Sequence, residues 1–104
     1  MEQRYGHMSQ QELMDEVARL NELSKKAEQK GMVSEFSVHE RKKLIAQSYL
    51  LDPDDFVPGE EYSIVGEDKA PFVISYMNGV FAWGYRDGDT SLTAIPIALL
   101  ALKN

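Results

Sequence analysis

The chain has 104 residues, no cysteine and a formal net charge of −6. That length suits one domain or one compact unit of two small parts, and the missing cysteines exclude disulfides and Cys-ligated zinc or iron–sulfur sites. An apolar fraction of 43% with 27% charged residues is that of an ordinary globular protein rather than a disordered or fibrous one.

The charge is uneven. Residues 1–51 hold eight Lys/Arg and eight Asp/Glu, whereas residues 52–104 hold three (Lys69, Arg86, Lys103) against nine. The second half therefore lacks the basic footprint that binding to a phosphate backbone relies on. Met1-Glu2-Gln3-Arg4-Tyr5 has no apolar h-region, which argues against a Sec signal. The longest apolar run, 94–102, contains Pro96 and falls well short of the roughly 20 residues a membrane span needs. The expected location is the cytoplasm, with no membrane partner.

Ser9-Gln10-Gln11-Glu12 is a capping box, in which each side chain satisfies a backbone amide at the start of a helix. Leu13, Val17, Leu20 and Ala27 follow at helical spacing. Gly31, behind Lys25, Lys26 and Lys30, reads as the glycine that ends the helix after a basic last turn. The first helix is thus predicted at about 9–30. A second is predicted at about 33–51, because Asp52-Pro53 disfavours further helix. The short link makes the two antiparallel neighbours. The second helix is apolar over a wide arc. Val33, Phe36, Leu44 and Leu51 form one stripe and Val38, Ile45 and Tyr49 another, opposite a polar face of Glu35, His39, Lys42 and Lys43. One helix cannot bury two stripes against a single partner.

Residues 52–59 read as a connector of turn residues, pinned by Phe56 and Val57. Tyr62–Val65 reads as a first strand and 66–69 as the loop after it. Phe72–Met77 and Val80–Tyr85 then flank Asn78-Gly79, the sequence of a type I′ hairpin turn. With Asn78 and Gly79 as the two loop residues, Tyr76 faces Phe81, Ile74 faces Trp83 and Phe72 faces Tyr85. Alternation then puts Phe72, Ile74, Tyr76, Phe81, Trp83 and Tyr85 on one face, and Val73, Ser75, Met77, Val80, Ala82 and Gly84 on the other. Asp87-Gly88-Asp89 turns the chain again. Leu92–Ile95 is a fourth strand, Pro96 bars continuation in a central strand, and 97–102 is a short strand or a helical turn. The predicted class is α+β: a helical hairpin over 1–51, the connector 52–59, and a small SH3-like β-barrel over 60–104, with an open antiparallel sheet as the alternative.

Glu40-Arg41-Lys42, Ala46, Tyr49-Leu50-Leu51, Pro58-Gly59-Glu60 with Tyr62, Ile74-Ser75-Tyr76 and above all the run Asn78–Arg86 resemble the YfhH family of small bacterial proteins. The resemblance extends over nearly the whole chain. It implies a helical hairpin followed by an SH3-like barrel, and it implies no activity and no catalytic residue.

The candidate interaction residues are Arg41, Tyr76, Phe81, Trp83, Tyr85 and Arg86. Exposed aromatics on a small barrel could take an extended ligand, with Glu60, Glu61, Asp87 and Asp89 selecting basic partners. The competing and preferred reading is that the helical hairpin packs on this face; a mixed outcome covers Phe72, Ile74 and Trp83 and leaves Tyr76 or Tyr85 at the rim. Glu40-Arg41 could mark an interface or form a partly buried ion pair. Arg41-Lys42-Lys43 with Lys25, Lys26 and Lys30 could form a nucleic-acid patch, but acids are interleaved with them. His7 and His39 have no metal-ligand spacing, and the Asp-rich turns lack EF-hand spacing. No nucleophile triad, P-loop or dinucleotide fingerprint is present. The predicted function is a non-enzymatic protein-interaction module, acting through the aromatic face or the second helix, with no cofactor or metal. Its partner is a protein, a second copy of the chain among the options. Nucleic-acid association through the basic edge of the helices is the alternative.

Overall fold

A computed structural model describes residues 5–66, 71–86 and 88–102. They fall into two compact units, divided between Leu50 and Leu51.

The first unit is a short 3-10 turn, Tyr5–His7, followed by helices α1 (Gln10–Gln29) and α2 (Val33–Ser48). The Glu12 amide donates to Ser9 Oγ at 3.1 Å and the Ser9 amide to Glu12 Oε1 at 2.8 Å, so the expected capping box forms. At the other end the Met32 amide donates to the Ala27 carbonyl and the Gly31 amide to the Glu28 carbonyl, the paired bonds of a Schellman motif. Leu13, Leu20, Ser24 and Ala27 make the buried stripe of α1. Tyr5, Leu13 and Ala46 are buried together, with Met8, Val17, Ile45 and Leu50 packed around them.

Helix α2 differs from expectation in two ways. It ends at Ser48 rather than Leu51. The Ser48 hydroxyl donates to the Leu44 carbonyl and the Leu50 amide to the Gln47 carbonyl, which tightens the last turn before Pro53 acts. Its apolar arc is also not covered throughout: Val33 is 74% and Val38 50% exposed. Toward α1 it presents polar groups as well as the apolar Ile45 and Ala46. Ser24, 1% exposed, donates its hydroxyl to Glu40 Oε2. Lys43 Nζ lies 3.0 Å from the same carboxylate oxygen and 3.2 Å from Asn21 Oδ1. Lys43, expected on the solvated face, is thus part of the helix–helix contact. The Ser24 hydroxyl and then the Lys43 ammonium hold the Glu40 carboxyl below its ordinary range.

The second unit begins with a 3-10 turn, Pro53–Asp55. Five strands follow: β1 (Glu61–Ile64), β2 (Phe72–Asn78), β3 (Phe81–Arg86), β4 (Thr93–Pro96) and β5 (Leu100–Leu102), with a 3-10 turn, Ile97–Leu99, between the last two. They form one antiparallel sheet in the order β4-β3-β2-β1-β5. β4 and β5 are its two edges, so the ladder is open, and Pro96 sits on an edge strand, where a missing amide is tolerated. Of the connector residues, Phe56 packs on the core and its ring lies 5.6 Å from that of Tyr62. Val57 is 45% exposed, contrary to expectation, and is held by its backbone: its amide donates to the Tyr62 hydroxyl at 2.8 Å. Most of the loop expected at 66–69, and Asp87 of the following turn, lie outside the described residues.

The hairpin loop is one residue further along than predicted, which moves each pairing near the turn by two: Tyr76 lies opposite Trp83 rather than Phe81. Asn78 pairs with Phe81, so the loop residues are Gly79 and Val80. Gly79 has φ +61°, and no other residue type has positive φ among the described residues, so Asn78 stays extended. A single positive φ at the first loop position fits a type II′ turn, which twists the strands as well as type I′ does. The shift is favoured by Val80, which is 5% exposed in the core and accepts the Ile97 amide at 3.0 Å.

A β-bulge then corrects the phase. Tyr76 pairs with Trp83 and Ile74 with Gly84, which leaves Ser75 as the extra residue. Phe72 and Ile74 consequently face the core together with Met77, Ala82 and Gly84, while Tyr76, Trp83 and Tyr85 face the other way. The six large residues expected on one face are divided between two. The core contains Tyr62, Ile64, Phe72, Ile74, Val80, Ala82, Ile95, Ile97 and Leu100. Burying each large apolar side chain contributes about 1.5–3 kcal/mol.

Candidate functional site

Three rows of side chains cross the outer face of this sheet. Glu61, Val73 and Tyr85 are in register across β1, β2 and β3. Tyr76, Trp83 and Ala94 are in register across β2, β3 and β4. Asn78, Phe81 and Pro96 make the third row. The strand order places these side chains together only because the bulge at Ser75 reverses the alternation of β2. Without it Tyr76 would share a face with Ile74.

Tyr76 and Tyr85 are 43% and 40% exposed. Trp83 is half-buried. The Tyr76 and Trp83 rings are nearly parallel, with centroids 6.0 Å apart and planes 4° apart. Cross-strand aromatic pairs of this kind stabilise a sheet by up to about 1 kcal/mol. A pair that is left partly open also offers a flat apolar surface with π-electron density.

The other candidates lie differently. Phe81 is half-buried and packs on the core cluster, so it supports the face from its rim. Arg86 is half-buried and in register with Phe72, on the side of β3 opposite Tyr85. Arg41 is exposed on α2, in the other unit. Its neighbour Glu40 pairs with Lys43 across one helical turn, and not with Arg41. Within the sheet unit, Tyr76, Trp83 and Tyr85 thus share one surface, flanked by Phe81, while Arg86 lies on the opposite side of β3.

The acid-rich turns have structural partners. The Asp52 carboxylate accepts the Asp54 amide at 2.9 Å and the Asp89 carboxylate accepts the Ser91 amide at 3.1 Å. Both are side-chain caps of turns. No group of three or more His, Asp or Glu is placed to hold a metal among the described residues. Among those residues, no helix is long and apolar enough to cross a membrane.

Two features escaped the sequence reading. Val73 belongs to the outer face, and only the bulge shows it. Gly84, alone inside a strand, was the available signal, because such a glycine often marks a bulge or a close backbone approach. A Cβ at Gly84 would lie 2.0 Å from the Val73 carbonyl oxygen. The second feature is an apolar cleft of about 220 Å³ at the α1–α2 turn, lined by Glu28, Gly31, Met32, Val33 and Phe36.

Residues 3–101 match the family described as "Protein of unknown function (DUF1811)". The chain is also 47% identical over 104 residues to the uncharacterized protein YfhH of Bacillus subtilis (strain 168), an alignment that covers 99% of each protein. The resemblance read from the Asn78–Arg86 run and its companions is thus borne out over the whole length.

Proposed function

The chain belongs to this family of proteins of unknown function, and from that premise we propose that it is a non-enzymatic protein-interaction module whose docking surface is the outer face of the sheet around Tyr76, Trp83 and Tyr85. The observation that carries this reading is the exposure of two tyrosines and part of a tryptophan side by side on a sheet whose core lies on its other face. Tyr and Trp give large contact area with few rotatable bonds, which is why they dominate interface energetics. The strand order supports the finer fold reading as well: the edges β4 and β5 are joined by a single 3-10 turn, a connection that suits an SH3-like barrel not fully closed. The roles of Asp52 and Asp89, whose carboxylates cap turns, also favour binding over catalysis.

Photo-crosslinking tests the reading. A benzophenone amino acid at Ser75, which is exposed beside Tyr76, should give a discrete adduct in native cells, and Tyr76→Ser or Tyr85→Ser should remove it. The same group at Val65, 56% exposed at the end of β1, should give none. Equal adducts from both positions would contradict a docking face. An adduct of twice the chain mass would identify a second copy as the partner. An adduct to nucleic acid that disappears on replacing Lys25, Lys26 and Lys30 would favour the nucleic-acid alternative instead.

A further inference from the structure

We infer that the partner segment taken by the outer face is extended and arginine-containing, a proposal that rests on the docking reading above and names the chemistry of its ligand. Three observations lead to it.

The first is charge. The nine Asp/Glu and three Lys/Arg of residues 52–104 carry the whole net charge of −6, while residues 1–51 are balanced. Acids also lie around the aromatic surface itself: Glu61 is in register with Val73 and Tyr85, Glu60 is exposed just before β1, and Asp89 is exposed just after β3. The field of this unit draws a cationic segment and repels an acidic one.

The second is ring geometry. A guanidinium is planar and stacks on aromatic faces, best on tryptophan, whereas an ammonium is compact and strongly hydrated. The nearly parallel Tyr76–Trp83 pair offers a platform for a planar cation. The same field attracts lysine, but the ring geometry discriminates in favour of arginine.

The third is spacing. Trp83 and Tyr85 lie two residues apart on β3 and share a face. Alternate side chains of an extended segment repeat at roughly 6.5–7 Å, the same pitch as along a strand. A segment with arginine at every second position can therefore set one guanidinium at the Tyr76–Trp83 pair and the next at Tyr85 beside Glu61.

The test uses the full chain labelled with 15N and four octapeptides at low salt: alternating Arg-Gly, Lys-Gly, Glu-Gly and the neutral Leu-Ser. The Arg-Gly peptide is expected to shift the Trp83 indole N–H and the amides of Val73, Tyr76 and Tyr85 saturably, and to bind more tightly than Lys-Gly. Tyr76→Ser, a change at an exposed site, is expected to weaken Arg-Gly by about fivefold, the size of one exposed cation–π contact. Equal binding of Arg-Gly and Lys-Gly, indifferent to Tyr76→Ser, would reduce the effect to diffuse charge and overturn the proposal. Engagement of the same face by Leu-Ser as strongly as by Arg-Gly would overturn the basic class and leave the docking reading standing. If no peptide moves the face, the proposal falls. The docking reading then falls with it only if the Ser75 crosslink is absent too.

Discussion

The helical and sheet units differ in how far apart in sequence their determinants lie. In the helical unit the decisive bonds are local: Ser9 with Glu12, Met32 with Ala27, Gly31 with Glu28. In the sheet unit they are remote. The hairpin register depends on the Val80 carbonyl accepting an amide from Ile97, and the phase of β2 depends on how closely Gly84 approaches Val73. The comparison teaches that local chemistry sets where elements start and stop, whereas the face a side chain presents is set by contacts made elsewhere in the chain. For this protein the second kind of determinant forms the candidate surface.

The largest effect that would break this contrast is expected at Gly84. A Cβ there would overlap the Val73 carbonyl oxygen, so Gly84→Ala must separate β2 from β3 or undo the bulge. A loss of about 3 kcal/mol or more is expected in urea unfolding, at or above the upper end of ordinary overpacking. A near-neutral Gly84→Ala would mean that the strands are not held this closely.

Next comes Tyr62→Phe, which keeps the ring in the core and removes the acceptor of the Val57 amide. The orphaned donor should cost about 1–3 kcal/mol if water cannot reach it. This is a non-local bond in function even though only five residues separate the partners, because Tyr62 is 0% exposed and fixes the connector to the sheet.

The turn offers a sharper pair. Gly79→Ala forces a side chain onto φ +61° and should cost about 1–2 kcal/mol, while Asn78→Ala should lie within about 0.5 kcal/mol of neutral because Asn78 is extended. Comparable losses at both positions would restore the type I′ register.

The smallest expected effect is a pH dependence in the helical unit. The Glu40 carboxyl is held below its ordinary value of 4.5 by Ser24 and Lys43. A depressed carboxyl contributes stability that is fully present above the ordinary value and is lost as pH falls through the depressed one. Acid titration of unfolding should therefore show a modest loss below pH 4.5 that Glu40→Gln removes. Glu40 is about one-third exposed, so solvent screening keeps the effect small.

The same division explains what could be read from the residues. Helix α1 was legible to within a residue at each end, since Ser9, Glu12 and Gly31 act on their immediate neighbours. Two helices and four strands were legible from periodicity and alternation, whereas 97–102 read equally as strand or helical turn and proves to be a 3-10 turn followed by β5. The end of α2 was misplaced because Pro53 advertises a stop while Ser48 and Leu50 tighten the chain earlier. Val33 and Val38 were expected to be covered, yet the polar Ser24–Glu40–Lys43 group takes the place of an apolar seam beside them. Asn78-Gly79 favours type I′ locally, and the burial of Val80 overrides it. Of the candidate surface, the types Tyr76, Trp83 and Tyr85 were legible. Their separation from Phe72 and Ile74 was not, because one extra residue at Ser75 reverses every side chain after it.

The most direct test of the central claim asks whether the open rings serve binding or stability. The double variant Tyr76→Ser/Tyr85→Ser should be scored for its urea midpoint and for the Ser75 crosslink in the same preparation. Losing the stacked Tyr76–Trp83 pair costs up to about 1 kcal/mol, and losing the exposed Tyr85 ring about 0.5 kcal/mol. The expected result is a small shift in midpoint with complete loss of the adduct. A steep fall in the midpoint, or an adduct that survives in the folded variant, would contradict the account, because the rings would then be core or bystanders rather than the docking surface.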